Sequence, residues 1–112
     1  MIHEMKLNAQ PFTLIKAGKK TVEMRLHDEK RALIKIGDQI RFIHNDTGEV
    51  LSCKVVGLYP YDSFEMLYLH HDKLSIGYEE DERANPEDML VYYSAEKIAR
   101  YGVLGIGIEV LQ

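Results

Sequence analysis

Six consecutive residues, Thr21-Val22-Glu23-Met24-Arg25-Leu26, alternate polar and apolar without a break. That period of two belongs to a half-buried strand, with Val22, Met24 and Leu26 on one face and Thr21, Glu23 and Arg25 on the other. Other short runs read the same way: Glu4 to Leu7, Gln39 to His44, Val50 to Tyr59, and a glycine-punctuated strand from Val103 to Val110. Asn45-Asp46-Thr47-Gly48-Glu49 has the composition of a hairpin loop between two of them, and Pro60 is expected to stop the longest. Gly105 and Gly107 point to bending or close backbone approach. The helical segments are brief. Pro11 to Lys16 is bounded by a proline in its first turn and by Gly18 past its end, and buries Phe12, Leu14 and Ile15. Ser63 to Leu69, Pro86 to Tyr93 and Ala95 to Tyr101 follow, the last capped by Ser94 and ended by Gly102. Several short strands with only brief helices specify a mainly β, α+β chain: a small closed β-barrel with short helical insertions, with a plain α+β sandwich as the fallback. No βαβ alternation is present.

At 112 residues the chain is the size of one domain, spanning 1–112. Its 46% hydrophobic and 29% charged content is that of a globular protein. Cys53 is the only cysteine, so no internal disulfide or cysteine zinc site forms, and a reducing, cytoplasmic location is expected. Cys53 reads as core packing. Met1 to Lys6 has no apolar leader, and no run reaches the length of a membrane span, so no membrane partner is expected. The net charge of −4 argues against a general nucleic-acid binder, but its distribution is uneven. Eight basic residues (Lys16, Lys19, Lys20, Arg25, Lys30, Arg31, Lys35, Arg41) lie between 16 and 41 among four acidic ones, while the segment from Glu79 to Asp88 is acidic and turn-rich, with the look of a mobile loop. A basic segment on an acidic protein can build a local electropositive cleft.

Within that segment, Lys20, Glu23 and Arg25 carry the chemistry. Arg25 supplies a planar donor fork suited to phosphate or a base edge, and Lys20 a mobile point charge. Glu23 can accept from an exocyclic amine, hold the two cations in place, or act as a general base. A carboxylate beside Lys20 works against a nucleophilic lysine, which requires a depressed pKa. The residues therefore favour ligand capture over covalent catalysis.

The stretch Gly18-Lys19-Lys20-Thr21-Val22-Glu23-Met24-Arg25 resembles the G-x-K-x-x-E-x-R signature of the ASCH family, keeping Gly18, Lys20, Glu23 and Arg25 after a short helix. Ile36-Gly37-Asp38-Gln39-Ile40 resembles that family's Gly-Asp turn before a strand, and Tyr101-Gly102-Val103-Leu104-Gly105-Ile106 its closing segment. The resemblance implies a PUA-like barrel and an RNA-linked role, with RNA or a nucleotide- or nucleoside-like ligand held by Lys19, Lys20, Thr21, Glu23 and Arg25. It also implies an alternative. A subset of small bacterial members resembling this chain are cofactor-free amidohydrolases that deacylate N4-acetylcytidine with a lysine, a threonine and a glutamate. The lysine corresponds to Lys20; Glu23 stands where the threonine would be, Glu65 is a candidate for the distal glutamate, and in that reading Lys20 and Glu23 are catalytic.

No cofactor is expected, since the chain has no P-loop, dinucleotide fingerprint, nucleophile elbow or Cys-His pairing. His70-His71-Asp72 lacks a second ligand set at metal-binding spacing, so no metal is expected. Tyr59, Tyr61, Tyr92, Tyr93 and Tyr101 can stack on bases, but each also suits core or rim packing. Oligomeric state is not encoded in any of these features.

Overall fold

The computed structural model describes residues 1–112. Five strands form a single curled sheet in the order β1-β3-β4-β5-β2: β1 (Ile2–Leu7), β2 (Val22–Leu26), β3 (Gln39–His44), β4 (Val50–Tyr61) and β5 (Val103–Val110). Only β1 and β3 run parallel; the other neighbours are antiparallel. The expected mainly β, α+β architecture with short helical insertions is what forms, as a half-barrel. Helix α1 (Ala9–Lys16) buries Phe12, Leu14 and Ile15 against the sheet, as its spacing requires. Helices α2 (Phe64–His70) and α3 (Ala95–Tyr101) start at Ser63 and Ser94, whose side chains accept from the backbone N–H of Met66 and Lys97. A 3-10 segment, Pro86–Val91, lies between them.

Pro60 does not end β4, which continues to Tyr61. Pairing with β3 stops at Lys54, so by residue 60 that edge of β4 is open and no neighbour there needs the missing N–H. The strand is bulged between Val55 and Gly57. There Gly107 of β5 lies so close to Gly57 that an added Cβ would stand 3.1 Å from its backbone nitrogen, which is the close approach the glycine pattern indicated.

Two apolar clusters hold the fold. One fills the concave side of the sheet with Phe12, Ile15, Ile40, Phe42, Cys53, Val55, Leu104 and Ile106 among others. Burial pushes the Cys53 thiol up to about 11, which leaves it unreactive and fits its packing role. The second cluster lies outside the sheet, where Val22, Met24 and Val103 pack under Phe64, Leu67, Ile76 and Met89.

This two-layer arrangement changes the meaning of the β2 alternation. Glu23 pairs with Ile106 and Arg25 with Leu104, so the polar residues share the face of the inner core. Val22 and Met24 face outward beneath α2 and the 3-10 segment. The strand is buried on both sides, not half-buried.

The candidate binding cleft

A polar strand face can point inward because the barrel is not closed by backbone pairing between β1 and β2. Side chains bridge that seam instead: Arg25 Nη2 donates to the Lys6 carbonyl at 3.0 Å. The seam widens into a cleft of about 580 Å³ between the end of β1, β2 and the segment 76–93.

Glu23 lies at its floor, only 4% exposed, and Lys20 is 7% exposed. Lys20 Nζ stands 2.9 Å from Glu23 Oε1, which also accepts from the Met24 N–H at 3.2 Å. Arg25 places Nε at 2.9 Å and Nη2 at 2.8 Å from Glu23 Oε2. Both carboxylate oxygens are thus taken by protein donors. Burial opposes ionisation of Glu23, but Lys20 and then Arg25 outweigh it and hold the carboxyl well below the usual carboxylate range. The Lys20 stem rests on Gly77, whose φ of +108° suits glycine and where an added Cβ would approach Lys20 Cδ to 3.1 Å.

A depressed folded-state pKa makes a contribution to stability that is present above the unfolded value and lost as pH falls through the folded one. For Glu23 that window runs from an ordinary value of 4.5 down to about 2. Asp38 acts in the same direction: hydrogen bonds from His3 and the Lys35 N–H pull it down to about 2. Urea unfolding between pH 5 and 2 is expected to show stability falling steadily, with little change between pH 6 and 8. A flat profile below pH 5 would contradict the ion-pair network.

The 73–93 segment forms a tied strap over the cleft. Thr21 and Val22 donate their N–H groups to the Ser75 carbonyl at 2.9 Å each. Lys73 Nζ donates to the carbonyls of Glu80 and Glu82, both at 2.7 Å. The Tyr68 and Tyr78 hydroxyls are 2.9 Å apart, and Tyr78 donates to Asp88 Oδ2 at 2.7 Å. With the single Tyr78 proton on Asp88, Tyr68 is the donor to Tyr78. Burial raises the pKa of both phenols. The stretch from Glu79 to Asp88, which has the composition of a mobile loop, is therefore hydrogen-bonded in place.

Lys20, Glu23 and Arg25 come together in the cleft, whereas Lys19 and Thr21 are exposed and do not line it. Of the tyrosines singled out from sequence, Tyr92 and Tyr93 line the cleft; Tyr59, Tyr61 and Tyr101 lie elsewhere. Tyr61 stacks on His70 and hydrogen-bonds His71 at 3.0 Å, which accounts for the His-His pair. Tyr68, Tyr78, Glu82 and Asp88 are cleft residues that sequence reasoning did not select. Five of the eight cations of the basic segment are in ion pairs: Lys16 with Glu49, Lys20 and Arg25 with Glu23, Arg31 with Asp28, and Arg41 with Glu4. The cleft itself carries three cations (Lys6, Lys20, Arg25) and three carboxylates (Glu23, Glu82, Asp88), a balanced charge.

The curled five-stranded sheet with its short helices defines a small α+β domain. The chain belongs to the ASCH domain family, whose model matches residues 5–112. It is similar over its whole length to the hypothetical protein PH0355, with 36% identity, a TM-score of 0.84, and coverage of 99% of this chain and 100% of that one. The protein PF0455 from Pyrococcus furiosus is 33% identical with a TM-score of 0.77, covering 100% and 99% respectively. A ZmASCH mutant protein from Zymomonas mobilis shares the fold at 13% identity, with a TM-score of 0.62 and coverage of 96% of this chain and 67% of that one. No curated protein matches the chain significantly. No helix is long and apolar enough to cross a membrane.

Proposed function

We propose that the cleft binds a nucleobase-bearing ligand, either a nucleotide or nucleoside or an unpaired base of RNA. The observation that carries this reading is the buried Lys20–Glu23–Arg25 network at the floor of a tyrosine-lined cleft. Burying three charges is a poor way to stabilise a core, because desolvation offsets most of the attraction. Such groups cluster at functional sites, where their fixed positions are useful. The cleft volume falls in the range of small-ligand sites, and its tyrosines offer faces for a base. Membership of a family expected to work on RNA supports the same ligand class.

The balanced charge favours taking the ligand by its base over tracking a phosphate backbone. Affinity is then nearly flat between about 50 and 200 mM salt, where a binder of several phosphates would lose orders of magnitude. Amide hydrolysis ranks second. A general base must hold a proton near neutral pH, and a carboxylate with four protein donors and a strongly lowered pKa is unsuited to that. Lys20 Nζ is likewise occupied, 2.9 Å from Glu23 Oε1.

The test pairs titration of mononucleotides and a short single-stranded RNA with incubation in N4-acetylcytidine followed by chromatography. Saturable binding without release of cytidine is expected. Release of cytidine that disappears in Lys20→Ala would establish the hydrolase reading in its place.

A further inference from the structure

We infer that the cleft recognises a base edge made of two adjacent hydrogen-bond acceptors, such as O6 and N7 of guanine or O2 and N3 of cytosine, through donors on Lys20, Arg25 and Tyr93. This rests on the nucleobase reading above and names the chemistry of the base that reading admits.

Open donors outnumber open acceptors in the buried network at the cleft floor. Glu23 is the buried carboxylate there, and its two oxygens receive Lys20, the Met24 N–H and two nitrogens of Arg25. It has no strong position left for a ligand amine, so Glu23 is a positioning residue. The donors are not exhausted in the same way. Lys20 Nζ has three protons and one polar partner. Arg25 spends Nε and Nη2 on Glu23 and the Lys6 carbonyl, and Nη1 has no partner in the protein. Tyr93 backs its ring on Phe64, 6.1 Å away and nearly parallel, while its hydroxyl makes no hydrogen bond. Burial raises its pKa, so the phenol remains a donor across physiological pH.

The other carboxylates of the cleft belong to the strap, and each has one oxygen engaged there. Glu82 Oε1 accepts the Glu79 N–H at 2.7 Å, and Asp88 Oδ2 accepts Tyr78. A floor of donors held rigidly by a buried carboxylate pairs with acceptors and leaves a ligand donor unsatisfied. Adenine, which presents an amino donor beside N7 where guanine presents O6, is disfavoured there by the cost of an unpaired buried donor.

The experiment is calorimetric titration of the intact chain with guanosine, inosine, cytidine and adenosine, and separately with inorganic phosphate and acetate. Guanosine, inosine and cytidine are expected to bind at least about tenfold more tightly than adenosine. Phosphate and acetate are expected to bind far more weakly. Tyr93→Phe, which keeps the ring packing, should weaken guanosine roughly five- to tenfold, leave adenosine nearly unchanged and keep the melting temperature. Adenosine binding as tightly as guanosine would overturn the acceptor-edge inference while leaving the nucleobase reading intact. Binding of phosphate or acetate as tightly as guanosine would overturn it by making charge the recognised feature. Binding of no nucleoside, nucleotide or RNA at all would overturn the nucleobase reading itself.

Discussion

Replacing Glu23 with glutamine lowers the stability of the folded chain by about 3–5 kcal/mol, the usual cost of removing one partner from a buried ion network. The reason is the charge that remains. Lys20 and Arg25 keep their positive charges, with side chains only 8% and 14% exposed, and have no anion between them. Arg25 also bridges the unpaired seam to Lys6, so its displacement loosens the join between β1 and β2. Urea unfolding of Glu23→Gln against the parent chain measures this directly. A loss below about 1 kcal/mol would mean the network is solvated and carries little of the fold. Part of the loss should be recovered when Lys20→Met is combined with Glu23→Gln, because one of the two unpaired cations is then removed, and the double variant is expected to be more stable than Glu23→Gln alone.

Replacing Lys20 with methionine separates binding from stability in the opposite direction. The stem is retained, so the packing on Gly77 survives. Glu23 keeps Arg25 on one oxygen and the Met24 N–H on the other, leaving a balanced buried pair. Stability is expected to change by no more than about 1–2 kcal/mol, whereas ligand affinity falls roughly 10- to 100-fold through loss of a charged hydrogen bond. Unfolding and ligand titration on the same preparation check both halves. Unchanged affinity would remove Lys20 from the site.

The sequence made the strands and the identity of the charged trio legible because both depend on local pattern. Period two in Thr21 to Leu26, the capping serines Ser63 and Ser94, and the Gly105 and Gly107 interruptions each have a short-range cause. The orientation of β2 does not. Alternation distinguishes two faces, but which one is covered by a second layer depends on α2 and the 3-10 segment, about 40 and 60 residues away in the chain. The usual rule that the polar face meets water fails here because Lys20 and Arg25 supply Glu23 with internal partners. The basic segment does not give the cleft a net formal charge, because Glu23, Glu82 and Asp88 offset Lys6, Lys20 and Arg25 there. Of the paired cations, Lys20, Arg25 and Arg31 meet anions nearby in sequence, whereas Lys16 and Arg41 meet theirs only through the fold. The strap was the least legible part. Tyr68 and Tyr78 sit in unremarkable sequence contexts, and only the hydroxyl chain from Tyr68 through Tyr78 to Asp88 ties them into the strap over the cleft.

Binding of a base-bearing ligand in the seam cleft around Lys20, Glu23 and Arg25 is read most simply from backbone amide chemical shifts, recorded by NMR during titration with guanosine and with a short single-stranded RNA. Saturable shifts are expected at residues 20–25, the strap from Gly77 to Tyr93 and the end of β1 alone, with the same residues moved by both ligands. Shifts centred on the exposed cations Lys19, Lys30 and Lys35, or no shifts with either ligand, would contradict it.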